Sequence, residues 1–505
     1  MTVPPKPRGR FPVQLAKPLL KAYLLGLVSS TAPRIIKVLV LAAKGKLDHK
    51  SVTYSLASII QKAVAWYRFP AFCGVLVGGS TLLQAPISVL MVALSRILQS
   101  SHKPISRKFV ERFSRLVSAF LSAFVSFWLL NSTATIDESY TISSIEKSQN
   151  KAMLKSSEPF RDPPETALQK GKFATKAPSL QRRPLAGKTM DLTLFAAIRA
   201  LDITITSLWS RARILSENKK KLISRTTPLA LFCFSAATIM HAWFYTPSRL
   251  PRTYNRWIST AADLDRRLLL ALRHARYGTF IYGKDTGMRP LLGSLARDLG
   301  LPEIVGDPAE TVPVPCELVH MGYAKSCEGH ALLRFFRGWL FAAKMYAPLQ
   351  LVTLLRKARS KGISWSSVVR ATVDMARSSS FLGGFIALFY YGVCLSRTRL
   401  GPKLFSRRTV SAQAWDSGLC VLGGCILCGF SMLLEHQRKR LEILFFVLPR
   451  AAATWLPRYY LREDRWKEHL VFTLSTAIVF TTAQEDPRRV RGMLGNVLNG
   501  ILKVK

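Results

Sequence analysis

Six apolar stretches set the terms for this chain: residues 69–98, 113–130, 228–245, 381–396, 417–434 and 470–483. A helix needs roughly 20 such residues to cross a hydrocarbon core about 30 Å thick. Inside lipid, only a helix or a closed barrel satisfies its own backbone polar groups. The stretches therefore predict membrane-spanning helices, the last of them short. Residues 190–209 and 441–456 are also apolar but carry Arg199, Asp202 and Arg450. Charge is costly in hydrocarbon, so these two helices are expected to face a protein interior. The expected fold is all-α, a polytopic membrane protein of about eight to ten spans.

Composition supports the same division of labour. The 505 residues are 49% hydrophobic, yet the formal net charge is +44. Apolarity and charge rise together only when separate segments carry them. Basic clusters at 356–361, 397–408, 438–440 and 488–491 flank the apolar stretches. Such clusters attract anionic lipid head groups, each Lys or Arg contributing about 1 kcal/mol near the surface. The expected partner is thus a bilayer with anionic head groups and not nucleic acid. Basic residues occur in nearly every connection, so the positive-inside rule assigns no orientation. No cleavable secretory signal is expected at the proline-rich, basic start, where a mitochondrial-type presequence is the lesser reading.

The chain also repeats itself. Residues 17–258 and 333–502 carry six matching pieces in the same order. Each half opens with an apolar helix containing Ala-Pro, at Ala32-Pro33 and Ala347-Pro348, where a kink is expected. An amphipathic stretch follows, then a glycine-rich one, AFCGVLVGGSTLL against FLGGFIALFYYGV. A second small-residue helix, a helix with a charged face and a last apolar helix complete each set. Small residues four apart, such as Gly74 and Gly78 or Gly424 and Cys428, let helix backbones approach closely in lipid and would also serve a homo-oligomer. The organisation expected is a first repeat at 1–258 with a disordered loop at 131–188, a connection at 259–331, and a second repeat at 332–505. The connection holds an expected amphipathic helix at 257–277 that would lie at the membrane surface.

Cys316, His320, Cys327 and His330 fall within fifteen residues of a polar connection. Thiolates and imidazoles are zinc ligands, but the spacing matches no strong finger pattern. A packed structural turn accounts for it best, with a zinc site and a Cys316–Cys327 disulfide as the alternatives. Cys425 and Cys428 form a CxxC in the middle of an apolar helix and are expected to pack there, since a redox CxxC belongs at a helix start. Arg199 and Asp202 lie three apart on one helix face, where they would pair or line a polar path. Lys344 and Arg450 are candidates of the same kind in the second half. His241 is read as a packing residue at the interface rather than a catalytic base.

The run CELVHMGYAKSC from Cys316, followed by a helix ending in Tyr-Ala-Pro-Leu and a basic run, resembles the cysteine-containing region of the transmembrane protein 135 family. The resemblance covers residues 316–361 closely and continues more loosely to the end. A whole repeat precedes the cysteine box here. The glycine-rich helices are distantly similar to those of the mitochondrial Tim-type translocases. What the resemblance implies is an integral protein of the peroxisomal membrane, or alternatively the mitochondrial one, that supports lipid, fatty-acid or metabolite handling. It implies no catalytic residue and no cofactor, so an enzyme is not expected. A membrane scaffold that recruits organelle division or import machinery is the alternative.

Overall fold

The computed structural model describes residues 11–45, 48–98, 106–132, 185–211, 216–362, 364–406 and 408–502. The expected disordered loop at 131–188 lies outside the described residues, except for its two ends. The principal helices in chain order are α1 (Phe11–Ala43), α2 (His49–Val64), α3 (Phe69–Leu82), α4 (Gln84–Leu98), α5 (Arg107–Asn131), α6 (Met190–Arg211), α7 (Glu217–Tyr245), α8 (Arg252–Ala262) and α9 (Arg266–Tyr277). They continue with α10 (Arg289–Asp298), α11 (Cys316–Val319), α12 (Cys327–Lys361), α13 (Trp365–Cys394), α14 (Cys420–Cys428), α15 (Gln437–Trp455), α16 (Arg465–Glu485) and α17 (Met493–Leu502). Strand among the described residues is limited to Leu185–Ala186 paired antiparallel with Tyr460–Leu461.

Seven helical segments among the described residues are long and apolar enough to cross a bilayer: Ala16–Ala43, His49–Leu94, Arg107–Asn131, Met190–Arg211, Glu217–Tyr245, Trp365–Leu404 and Ala412–Leu434. The chain is a multi-pass helical membrane protein. The number is below the expected eight to ten because α12 and α15 interleave Lys and Arg with their apolar residues, while the apolar part of α16 is short. Pro33 and Pro348 sit inside continuous helices and do not end them. Neighbouring groups in a membrane bundle can re-satisfy the backbone bonds that proline removes.

The described helices fall into two compact units. The first contains α1 to α6, α16 and α17. Here α1 packs on α3, α3 on α5, α5 on α16, and α16 on α6. The contact face of α5 is a stripe of buried Ser114, Ser118, Ser122 and Ser126, flanked by Ala119 and Ala123. Their spacing of four keeps them on one side of the helix. Opposite them, a Cβ added to Gly79 would sit 2.5 Å from the Ser122 Oγ, and one on Gly78 would strike Leu19 at the same distance. The Ser118 hydroxyl donates to the Ser80 carbonyl at 3.2 Å. The Phe127 and Phe472 rings stack at 4.3 Å to close the core between α5 and α16. Large apolar side chains such as Val28, Ile36 and Trp128 remain outside, the surface a helix presents to acyl chains.

The second unit contains α7 to α15. In it α12 packs on α13, α13 on α14, α14 on α7, and α7 on α15. A Cβ on Gly392 would lie 2.8 Å from the Gly424 Cα, so α13 and α14 touch backbone to backbone. Between α7 and α12 the connection folds on a core of its own, with Leu270, Leu292, Leu295 and Leu318 buried together. The single helix expected at 257–277 is in fact two. Asp263 takes a left-handed conformation with φ of 50°, and the Asp265 carboxylate accepts from the Arg267 backbone N–H at 2.8 Å to start α9. Aspartate tolerates that backbone region better than most residues and is a strong N-cap. Arg273 on α9 donates to the carbonyls of Phe244 and Trp243, at 2.5 and 3.3 Å, and so caps the end of α7.

The compact units divide the chain between Arg213 and Ile214 and again between Arg458 and Tyr459, whereas the sequence repeats run over 1–258 and 332–505. The difference arises from packing: α7 lies on α14 and α15, and α16 lies on α5 and α6. Replacing Gly392 by leucine should destabilise the detergent-solubilised protein by at least about 1–3 kcal/mol, the usual range for overpacking. Gly500→Ala, at a position with nothing within 4 Å, should leave the thermal midpoint unchanged or slightly raised. Equal midpoints for the two variants would contradict the close α13–α14 crossing.

Candidate functional site

A cavity of about 590 Å³ lies in the second unit among α7, α8, α12, α13 and α15. Its walls are apolar, with Phe232, Met240, Trp257, Phe381, Phe385 and Phe446 prominent. The size falls in the usual range of about 300–1,000 Å³ for small-molecule sites. Seven of the lining residues carry polar side-chain atoms: Thr253, Tyr254, Trp257, Tyr346, Tyr390, Glu442 and Arg450. Tyr390 is already engaged, its hydroxyl donating to the Ala262 carbonyl at 2.9 Å.

Glu442 and Arg450 lie eight residues apart on α15, so they share a face and mark two levels separated by about 12 Å. The Arg450 guanidinium lies over the Phe446 ring at 3.6 Å and the Tyr254 ring at 5.1 Å, and it donates to the Phe446 carbonyl. Burial pushes the Tyr254 hydroxyl up to about 12 despite the opposing pull of Arg450. Tyr254 is therefore a neutral hydrogen-bonding group at physiological pH.

Of the four charged residues expected to line a path, Arg450 reaches this cavity. Lys344 is exposed and lies outside the lining, although its neighbours Met345 and Tyr346 belong to it. Arg199 and Asp202 belong to the first unit and converge on Arg491, a member of the basic cluster at 488–491. Arg199 donates to the Arg491 carbonyl at 2.9 Å, while the Arg491 guanidinium grips both oxygens of Asp202. These three side chains tie α6 to the segment before α17. His241 is half-buried, its ring 5.0 Å from that of Tyr245, in keeping with a packing role. Cys425 and Cys428 are fully buried, with the Cys428 thiol donating to the Cys425 carbonyl at 3.2 Å.

The cysteine and histidine box comes together in space. The ligand atoms of Cys316, His320 and Cys327 lie within 4.8 Å of one another. Cys394, at the end of α13, joins them, its Sγ 3.5 Å from the His320 Nε2. It also lies near enough to Cys327 and Cys316 to feel their charge. His330 takes a different place. Its ring stacks on His320 at 4.5 Å and abuts Tyr390 edge-on at 5.3 Å. Burial, with His320 and Arg334 nearby, holds the His330 imidazole down at about 3, so it remains neutral. Burial raises the Cys316 thiol, and the neighbouring Cys327 adds to that, against an opposing pull from Arg397.

Beside this cluster, Arg397 forms a bidentate ion pair with Asp416, at 2.6 and 2.9 Å, with both side chains more than nine-tenths buried. Tyr282 donates its hydroxyl to the same carboxylate, and accepts from the Val314 backbone N–H at 3.2 Å. Each member of the ion pair stands on a widened π turn, Leu395–Arg399 and Trp415–Leu419. Such turns recur where a helix presents a functional side chain. Nothing in the sequence marks them, because a π turn is a matter of backbone register and not of residue type.

No protein-family model, curated protein or solved structure matches the chain. Asp416→Ala would strand the Arg397 cation in the interior and should cost about 3–5 kcal/mol in detergent unfolding. The double replacement Arg397→Met with Asp416→Leu removes both charges and should cost clearly less. If the double variant is as unstable as the single one, the ion pair is not what holds the two π turns together.

Proposed function

We propose that this membrane protein takes the acyl chain of an anionic lipid or fatty acid into the cavity of its second unit and thereby supports lipid handling in an organelle membrane. The observation that carries this reading is the aromatic cavity with Arg450 in its lining. An apolar body is matched by the walls, and a carboxylate or phosphate by the guanidinium. The resemblance to the transmembrane protein 135 family adds the peroxisomal membrane as the preferred place, with the mitochondrial membrane second. No catalytic role belongs to this proposal.

The same proposal treats the two units as copies of one helix set with a helix exchanged. In support, the order α1, α3, α5, α16, α6 in one unit runs parallel to α12, α13, α14, α7, α15 in the other. The fourth helix of each order, α16 in one and α7 in the other, comes from the opposite half of the sequence.

A photoreactive fatty acid incubated with the purified full chain should label peptides of α8, α13 and α15. Ala261→Trp, which fills the cavity from α8, should weaken labelling about tenfold, equivalent to about 1.4 kcal/mol. Arg450→Ala should weaken the fatty acid while sparing the corresponding fatty alcohol. Labelling that is no higher than in detergent alone, or that is indifferent to Ala261→Trp, would remove the lipid reading. The scaffold alternative would then be favoured if proximity labelling returns stable protein neighbours.

A further inference from the structure

The cysteine and histidine cluster sits on three separate pieces of the second unit. Cys316 and His320 come from the folded connection, Cys327 from the start of α12, and Cys394 from the end of α13. We propose that these four side chains form a closed, tetrahedral Cys₃His site for a structural zinc ion, with Cys394 and not His330 as the fourth ligand.

Geometry argues for it first. Zinc lies about 2.3 Å from a thiolate sulfur and about 2.0–2.1 Å from an imidazole nitrogen, so tetrahedral ligands of these types are about 3.6 Å apart. Cys394 Sγ and His320 Nε2 are 3.5 Å apart. The remaining ligand atoms already lie within 4.8 Å of one another.

The tautomer argues for it second. His320 Nδ1–H donates to the Ala324 carbonyl at 2.9 Å, which leaves the Nε2 lone pair directed at the cysteines. A backbone acceptor on the far nitrogen is the usual support for a metal-bound histidine. His330, by contrast, is fully buried and presents its face to His320. A stacked ring directs its nitrogen lone pairs within its own plane and cannot share the ion with the ring beneath it.

Charge argues for it third. Binding expels three thiol protons and leaves zinc with three thiolates, a net charge of −1. Arg397 is more than nine-tenths buried beside the cluster, and its Nη1 has no hydrogen-bond partner among the described residues. Asp416 already matches the Arg397 charge, so what Arg397 offers the site is this remaining buried N–H donor. Four protein ligands leave no open position, and His320, Cys327 and Cys394 are buried, so the ion would staple the connection to the bundle rather than perform chemistry.

The test uses the full chain purified in detergent without chelator or reductant. Elemental analysis should find one zinc per chain. Cys394→Ser and Cys316→Ser should each lower zinc affinity by more than the 10–100-fold typical of losing a mere supporting group. His330→Phe and Cys425→Ser should retain it. Where a cysteine variant fails to fold, the wild-type chain still decides. Cobalt substitution should yield thiolate-to-metal charge-transfer bands with intense tetrahedral d–d absorption, and chelation should expose Cys316, Cys327 and Cys394 to alkylation together. Wild-type protein without stoichiometric zinc, a Cys316–Cys327 disulfide in its place, or zinc that survives Cys394→Ser but not His330→Phe would overturn the assignment.

Discussion

The backbone of a membrane helix can find no water, so its amides must be satisfied within the helix, and helices must then be held together without a hydrophobic driving force between them. Close approach is what remains, and it depends on small side chains. The serine and alanine stripe of α5 against Gly79, and Gly392 against Gly424, are the two places where this requirement is most visible. Everything else in each unit is arranged around such crossings. The phenylalanines fill the gaps left beside them, and the buried serines of α5 return their hydroxyls to carbonyls of their own helix or of a neighbour.

Polar residues in the interior are handled by a second rule, that a buried charge is paired or it is not tolerated. Asp416 meets Arg397 and Tyr282, and Asp202 meets Arg491. Glu468 accepts from Thr189 and Thr193 at 2.7 and 3.0 Å. Most of these groups stabilise the fold by tying remote segments together. Arg450 stands elsewhere, its guanidinium on aromatic rings at the wall of the cavity. The cavity and the cysteine cluster occupy different parts of the second unit and suit different roles, one to hold an apolar guest and the other to fasten the connection.

Several features could be read directly from residue order. The apolar stretches, the small residues at spacing four, and the proximity of Cys316, His320 and Cys327 all follow from local pattern. Cys394 could not be found that way, because it lies 67 residues beyond Cys327 in an apolar helix, where a cysteine ordinarily packs as a small hydrophobe. The break of the expected helix at Asp263 is hidden for the opposite reason. Its apolar periodicity continues through the turn, while the decisive element is one left-handed residue.

Local sequence determined that this is a helical membrane protein, because hydrocarbon thickness and backbone hydrogen bonding leave an apolar stretch of that length little choice. It also determined which faces would approach closely, since only small residues permit it. The tertiary structure alone decided which helices would be partners, so that α7 and α16 each pack away from the neighbours that chain order suggests. It decided as well that Cys394 should meet His320 and that aromatic residues from five helices should enclose one cavity. Those outcomes depend on contacts between residues far apart in the chain, and no local pattern encodes a distance between them.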